Sequence, residues 1–99
     1  MTYPKTIPRV EQVEVIGPYE LRVTFDDGLV RELDLSDQLS GAVFEQLTDP
    51  ARFAQVGIEG GTISWPNEAD IDPVVLHGDE DPEPGPPLRV IREGRAGSV

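Results

Sequence analysis

His77 is the single histidine of a 99-residue chain that has no cysteine, so an imidazole-activated nucleophile would have to be built on it. A nucleophile needs a base that is rigidly held. His77 instead stands where the chain passes into an acidic, proline-rich stretch, and no serine lies in a nucleophile-elbow pattern. The sequence offers no catalytic residue on this ground. The run Gly57-Ile58-Glu59-Gly60-Gly61-Thr62 looks superficially like a phosphate loop, but it has no lysine and carries Glu59 where a phosphate would approach. A tight hairpin explains it better. Asp70, Asp72 and His77, or Asp79, Glu80 and Asp81, could offer ligands to a metal. Neither set has an EF-hand spacing, and aspartates in turn segments commonly cap backbone groups. No metal and no cofactor is expected.

Trp65, Asn67 and Asp70 form the most informative constellation and are the candidate binding residues. One reading is an aromatic platform flanked by polar groups, suited to a small ligand or a partner's side chain. The other puts Trp65 into the core and leaves Asn67 and Asp70 to bond the backbone of a turn.

These residues need a scaffold, and the charge balance limits what it can meet. Eight basic residues stand against nineteen acidic ones, a net charge of −11. A phosphate backbone would be repelled, so nucleic-acid binding in isolation is not expected. No long apolar run follows the N-terminus. The expectation is therefore neither a signal peptide nor a membrane span, and a cytoplasmic location.

The scaffold reads as α+β: a mostly antiparallel sheet, made of a three-stranded meander and a second hairpin, with short helices on one face. Tyr19, Leu21, Val23 and Phe25 alternate with polar residues as a half-buried strand requires, and Val13 and Val15 do so before them. Gly17-Pro18 reads as the turn between these two runs. Asp26-Asp27-Gly28 marks the next turn. A two-residue loop there would set Val23 opposite Glu32 and Leu21 opposite Asp34, placing acids on the buried face. A three-residue loop with Gly28 left-handed sets Phe25 opposite Leu29, Leu21 opposite Leu33 and Tyr19 opposite Leu35, with Arg22 facing Glu32 and flanked by Glu14. That register is the one expected. It puts Arg31 on the inner face, hence near an edge with its head in water.

Further along, Ser36-Asp37 reads as the cap of a short turn, and Ala42, Val43, Phe44 and Leu47 as an apolar cluster. Asp49-Pro50 is a helix start, with Phe53 and Val56 on one side and Gly57 as a stop, giving a helix of about two turns. Gly60-Gly61 turns a hairpin that places Ile58 opposite Ile63 and Val56 opposite Trp65, all on one face. A turn-rich segment and Val74 to Leu76 close the ordered domain, residues 1–77. Residues 78–99 open with Gly-Asp-Glu-Asp-Pro-Glu-Pro-Gly-Pro-Pro, which cannot bury enough apolar area to offset its ordering entropy. A mobile tail is expected, with a return of Leu88, Val90 and Ile91 to a sheet edge as the competing possibility.

Val13-x-Val15, Tyr19-x-Leu21-x-Val23-x-Phe25-Asp26-Asp27-Gly28 and Leu33-Asp34-Leu35 resemble the opening of the small bacterial domain of unknown function 2442. Phe44-x-x-Leu47-x-Asp49-Pro50-x-x-Phe53 and Ile63-x-Trp65-Pro66-Asn67-x-Ala69-Asp70-Ile71-x-Pro73-x-x-Leu76 resemble its later motifs. A glycine is common in that family where this chain has Glu68. The resemblance covers about residues 10 to 77 and implies a small α+β domain. Some members are fused to helix-turn-helix domains, and others are encoded beside small partner proteins in toxin–antitoxin-like arrangements. It supplies no catalytic residue. The expectation is a non-enzymatic acidic interaction module with a basic protein partner, the antitoxin-like half of a pair. The alternative is a small-ligand or sensor domain using Trp65, Asn67 and Asp70.

Overall fold

The computed structural model describes residues 8–39, 44–67, 69–78 and 88–95. Ala42, Val43, Glu68, the Asp79-Glu80-Asp81 cluster and the rest of the proline-rich stretch lie outside the described residues. Strands β1 (Val10–Gly17), β2 (Glu20–Phe25) and β3 (Leu29–Asp34) run as an antiparallel meander. Leu21 pairs with Leu33, Arg22 with Glu32 and Val23 with Arg31, the register of the three-residue loop. Gly28 sits at φ 89°, and its amide donates to the Phe25 carbonyl at 3.0 Å. Leu21, Val23, Phe25, Leu33 and Leu35 are all buried. The acids that the other register would have turned inward, Glu32 and Asp34, are not among the buried residues. Arg22 bridges Glu32 at 3.0 Å and Glu14 at 2.8 Å. The two carboxylates hold its guanidinium above its ordinary range.

The turn before β2 differs from the expectation of Gly17-Pro18. It is Pro18–Tyr19, and Tyr19 itself takes φ 63°. A bulky residue is strained there, and tertiary contacts hold it in place. Its ring packs edge-on to Phe53 at 5.6 Å, and its hydroxyl donates to the Thr48 carbonyl.

Short helical segments follow β3. A 3-10 turn spans Ser36–Gln38 with no side-chain cap, so the expected capping by Ser36-Asp37 is not found; the Ser36 amide donates instead to the Asp34 carboxylate at 2.9 Å. A second 3-10 turn, Phe44–Thr48, buries Leu47. Helix α1 (Pro50–Phe53) has Asp49 as its N-cap, accepting from the Ala51 amide at 2.9 Å. Strands β4 (Gly57–Glu59) and β5 (Thr62–Ser64) form the second hairpin around Gly60-Gly61, with Ile58 opposite Ile63. Ile63 is buried, but Ile58 is exposed, so the expected common burial of that face fails at its outer end. Val10 ties the two sheets, its amide donating to the Gly61 carbonyl at 2.8 Å. Helix α2 (Pro73–His77) is capped by Asp72 and ends at Gly78.

The meander gains a fourth strand. Strand β6 (Arg89–Arg95) pairs antiparallel with β3, giving the order β1-β2-β3-β6. The expected free tail is therefore corrected for these residues, and the sheet continues beyond the boundary placed at residue 77. Leu33 pairs with Val90, Glu32 with Arg92 and Arg31 with Glu93, with a bulge between Glu32 and Leu33. The strand was hidden because every one of its residues is exposed. Leu88, just ahead of it, packs against the core.

The same strand corrects the placement of Arg31. With β6 beside it β3 is internal, and Arg31 is buried, 9% exposed, rather than reaching water at an edge. A buried guanidinium requires partners. Its Nη1 donates to the Leu76 carbonyl at 2.7 Å, and its Nε lies 2.9 Å from the Glu93 carboxylate. That second approach is out of line for a hydrogen bond, so the contact is an ion pair. Gly78 makes room for it: at φ 97°, a Cβ there would meet Arg31 Nη1 at 2.8 Å.

Candidate functional site

Trp65 is the centre of the predicted constellation, and it faces inward. The residue is 3% exposed. Its indole Nε1 donates to the Phe53 carbonyl at 2.8 Å. Its ring lies 5.7 Å from that of Phe53 and 6.3 Å, edge-on, from that of Phe44. The ring expected as a binding platform is thus used in packing.

Asn67 serves the turn beyond it. Its side-chain oxygen accepts from the Ala69 amide at 3.2 Å, while its nitrogen stands 3.4 Å from Gln46 Oε1. This Asx-type closure brings the chain back so that the Trp65 amide meets the Ala69 carbonyl at 2.8 Å and Asp70 bridges to Ser64. Asn67 and Asp70 do not converge. A cleft of about 410 Å³ is lined by Gln46, Arg52, Gln55, Trp65, Pro66 and Asn67. A second, of about 460 Å³, is lined by Glu59, Ser64, Trp65, Pro66 and Asp70. The predicted trio therefore spans two open clefts that share Trp65 and Pro66.

His77 is better held than its position in the chain suggested. Its Nε2 lies 2.7 Å from Asp27 Oδ2, and its ring stands edge-on to Phe25 at 4.9 Å. The Leu29 amide, and then His77, hold the Asp27 carboxyl below the usual carboxylate range. The pair closes the β2–β3 turn onto the end of α2. Asp70 and Asp72 do not join His77 in a ligand set, because Asp72 caps α2 through the Val74 amide at 2.9 Å. Among the described residues no group of three or more His, Asp or Glu is placed to hold a metal.

The packed Trp-Pro-Asn turn, the Asp-Pro caps and the meander occupy one stretch of sequence. Residues 10–79 match the family model described as protein of unknown function (DUF2442). The chain belongs to that family. Within the DUF2442 match lie β1 to β5 and both α-helices, together with all three predicted site residues. Strand β6 lies outside it. No curated protein and no solved structure matches the chain. No helix among the described residues is long and apolar enough to cross a membrane.

Sequence reasoning missed the junction of Arg31, Glu93 and the Leu76 carbonyl. A signal was present: an arginine on an inward-facing strand position demands an anion, and the segment Arg89 to Arg95 carries charges that complement β3 in antiparallel order.

Proposed function

We propose that this chain is a non-enzymatic protein-interaction module that binds a basic protein partner in the cytoplasm, as the antitoxin-like half of a protein pair. The observation that carries this reading is the surplus of nineteen acids over eight basic residues along the chain. The sheet face turned away from the helical segments carries Glu14, Glu20, Glu32 and Asp34 beside Arg22, Arg89 and Arg92, so the unbalanced charge that serves this reading is that of the chain as a whole. A net charge of −11 attracts a basic partner at long range and repels nucleic acid. The buried and half-buried polar groups near Trp65 are used in structure, which also supports this reading: the indole N–H bonds Phe53, and Asn67 closes its own turn. Affinity purification from the native cell under mild salt tests the proposal. A small basic protein should be retained and should elute as ionic strength rises. Recovery of no protein partner would count against it.

A second reading, a small-ligand or sensor domain, is favoured by the two clefts flanking Trp65 and Pro66. Thermal-shift screening of wild type against Asn67→Ala and Asp70→Ala tests it. A ligand whose stabilising effect disappears in one variant would move the function to that cleft.

A further inference from the structure

We propose that the outer edge of β3 is a docking seat for a partner's β-strand, and that β6 is its resident, displaceable occupant. The inference rests on the interaction-module reading and names the surface and the kind of strand it takes. Three observations converge on this edge. Among the described residues, no strand of the family match, residues 10–79, is paired to it, and β6 alone fills it. All seven residues of β6 are exposed, including Val90 at 41% and Ile91 at 46%, so leaving the seat uncovers little apolar surface. The seat is also chemically specific. Asp34 and Asp37 meet Arg89 at 3.9 and 3.0 Å, Glu32 faces Arg92, and Arg31 meets Glu93 at 2.9 Å. Arg95 Nη1 reaches the Asp27 carbonyl at 3.1 Å.

The seat thus reads an antiparallel strand with bases opposite Asp34 and Glu32 and an acid opposite Arg31. Backbone pairing along a sheet edge supplies affinity, and these charges supply register. Three of the chain's eight basic residues lie in β6 against one of its nineteen acids. The seat therefore selects a strand that is basic overall. A second copy of this chain, at −11, is disfavoured by repulsion, so the committed occupant is a basic strand of a different protein.

The test uses the full chain and a labelled peptide with the sequence of Leu88 to Arg95. Wild type should bind the peptide, and saturating peptide should remove amide-exchange protection from Val90 and Arg92 in the chain's own strand. Arg89→Glu with Arg92→Glu weakens the resident strand at exposed positions, and this variant should bind the peptide about tenfold more tightly because the internal competitor is weakened. A peptide carrying Glu93→Lys should not bind either form. Undiminished protection of β6 at saturating peptide would overturn the proposal, as would equal affinity of both folded forms. If the variant does not fold, displacement in wild type decides alone. A dimer that exchanges β6 between copies would overturn the committed occupant. A basic partner that binds while β6 stays protected would also overturn the seat, and would leave the module reading standing.

Discussion

The Glu93 carboxylate lies 2.9 Å from Nε of Arg31 and joins the last strand to a guanidinium buried within the family domain. Arg31 also donates to the carbonyl of Leu76 in α2. One side chain therefore connects β3, α2 and β6. Glu93→Gln leaves the shape of the strand but removes the anion. Its expected cost is about 1–2 kcal/mol, below that of a fully buried pair because Glu93 is half exposed. Denaturant unfolding of the variant checks this, and a double-mutant cycle with Arg31→Met isolates the coupling.

Trp65→Phe keeps a ring in the core and removes the indole N–H, leaving the Phe53 carbonyl with only the longer bond from the Val56 amide at 3.3 Å. The expected loss is about 1 kcal/mol, that of one hydrogen bond whose acceptor keeps another donor. The single tryptophan reports on the same site: its emission in the native chain should be blue-shifted and should move red on unfolding.

Gly28→Val tests the hairpin. At φ 89° a β-branched residue is poorly tolerated. Thermal unfolding should show a loss beyond the roughly 1 kcal/mol associated with glycine's backbone freedom. Unchanged stability would contradict the three-residue loop.

Acid stability has a definite sign. The Leu29 amide and His77 lower the carboxyl of Asp27, and the hydroxyl and amide of Ser36 lower that of Asp34. Each folded-state value is thus below the unfolded one, so the stabilisation is complete above the ordinary carboxylate range and is lost as pH falls through the lowered values. The stability gap between wild type and Asp27→Asn should be widest above about pH 5 and should close below about pH 4. Melting temperature followed across that range checks it; a constant gap would contradict the assignment.

The parts legible in the sequence are those where one physical rule acts locally. The β2–β3 register could be read because the alternative turns Glu32 and Asp34 inward. Helix α1 could be read from Asp49-Pro50. The same signal, Asp72-Pro73 with a left-handed Gly78, opens and ends α2, yet five residues are too few to show helical periodicity. Tyr19 conceals its turn because glycine or asparagine is the usual residue at that conformation. Strand β6 has no buried side chain, so no alternation marks it, and its partner is distant in sequence; the apolar Leu88, Val90 and Ile91 offered its return to a sheet edge only as the competing possibility, which the pairing with β3 realises. Trp65 and Asn67 were legible as one motif. Their separation from Asp70 into a neighbouring cleft depends on how the turn folds back.

Amide hydrogen exchange on the full chain tests the seated but displaceable strand most directly. The amides of β6 that pair with β3 should exchange more slowly than in a free peptide of the same sequence, yet faster than those of Leu21 and Val23, because the strand opens without global unfolding. Exchange as fast as in the free peptide would show that β6 is not seated on β3. Exchange as slow as at Leu21 and Val23 would show that it leaves only when the whole domain unfolds.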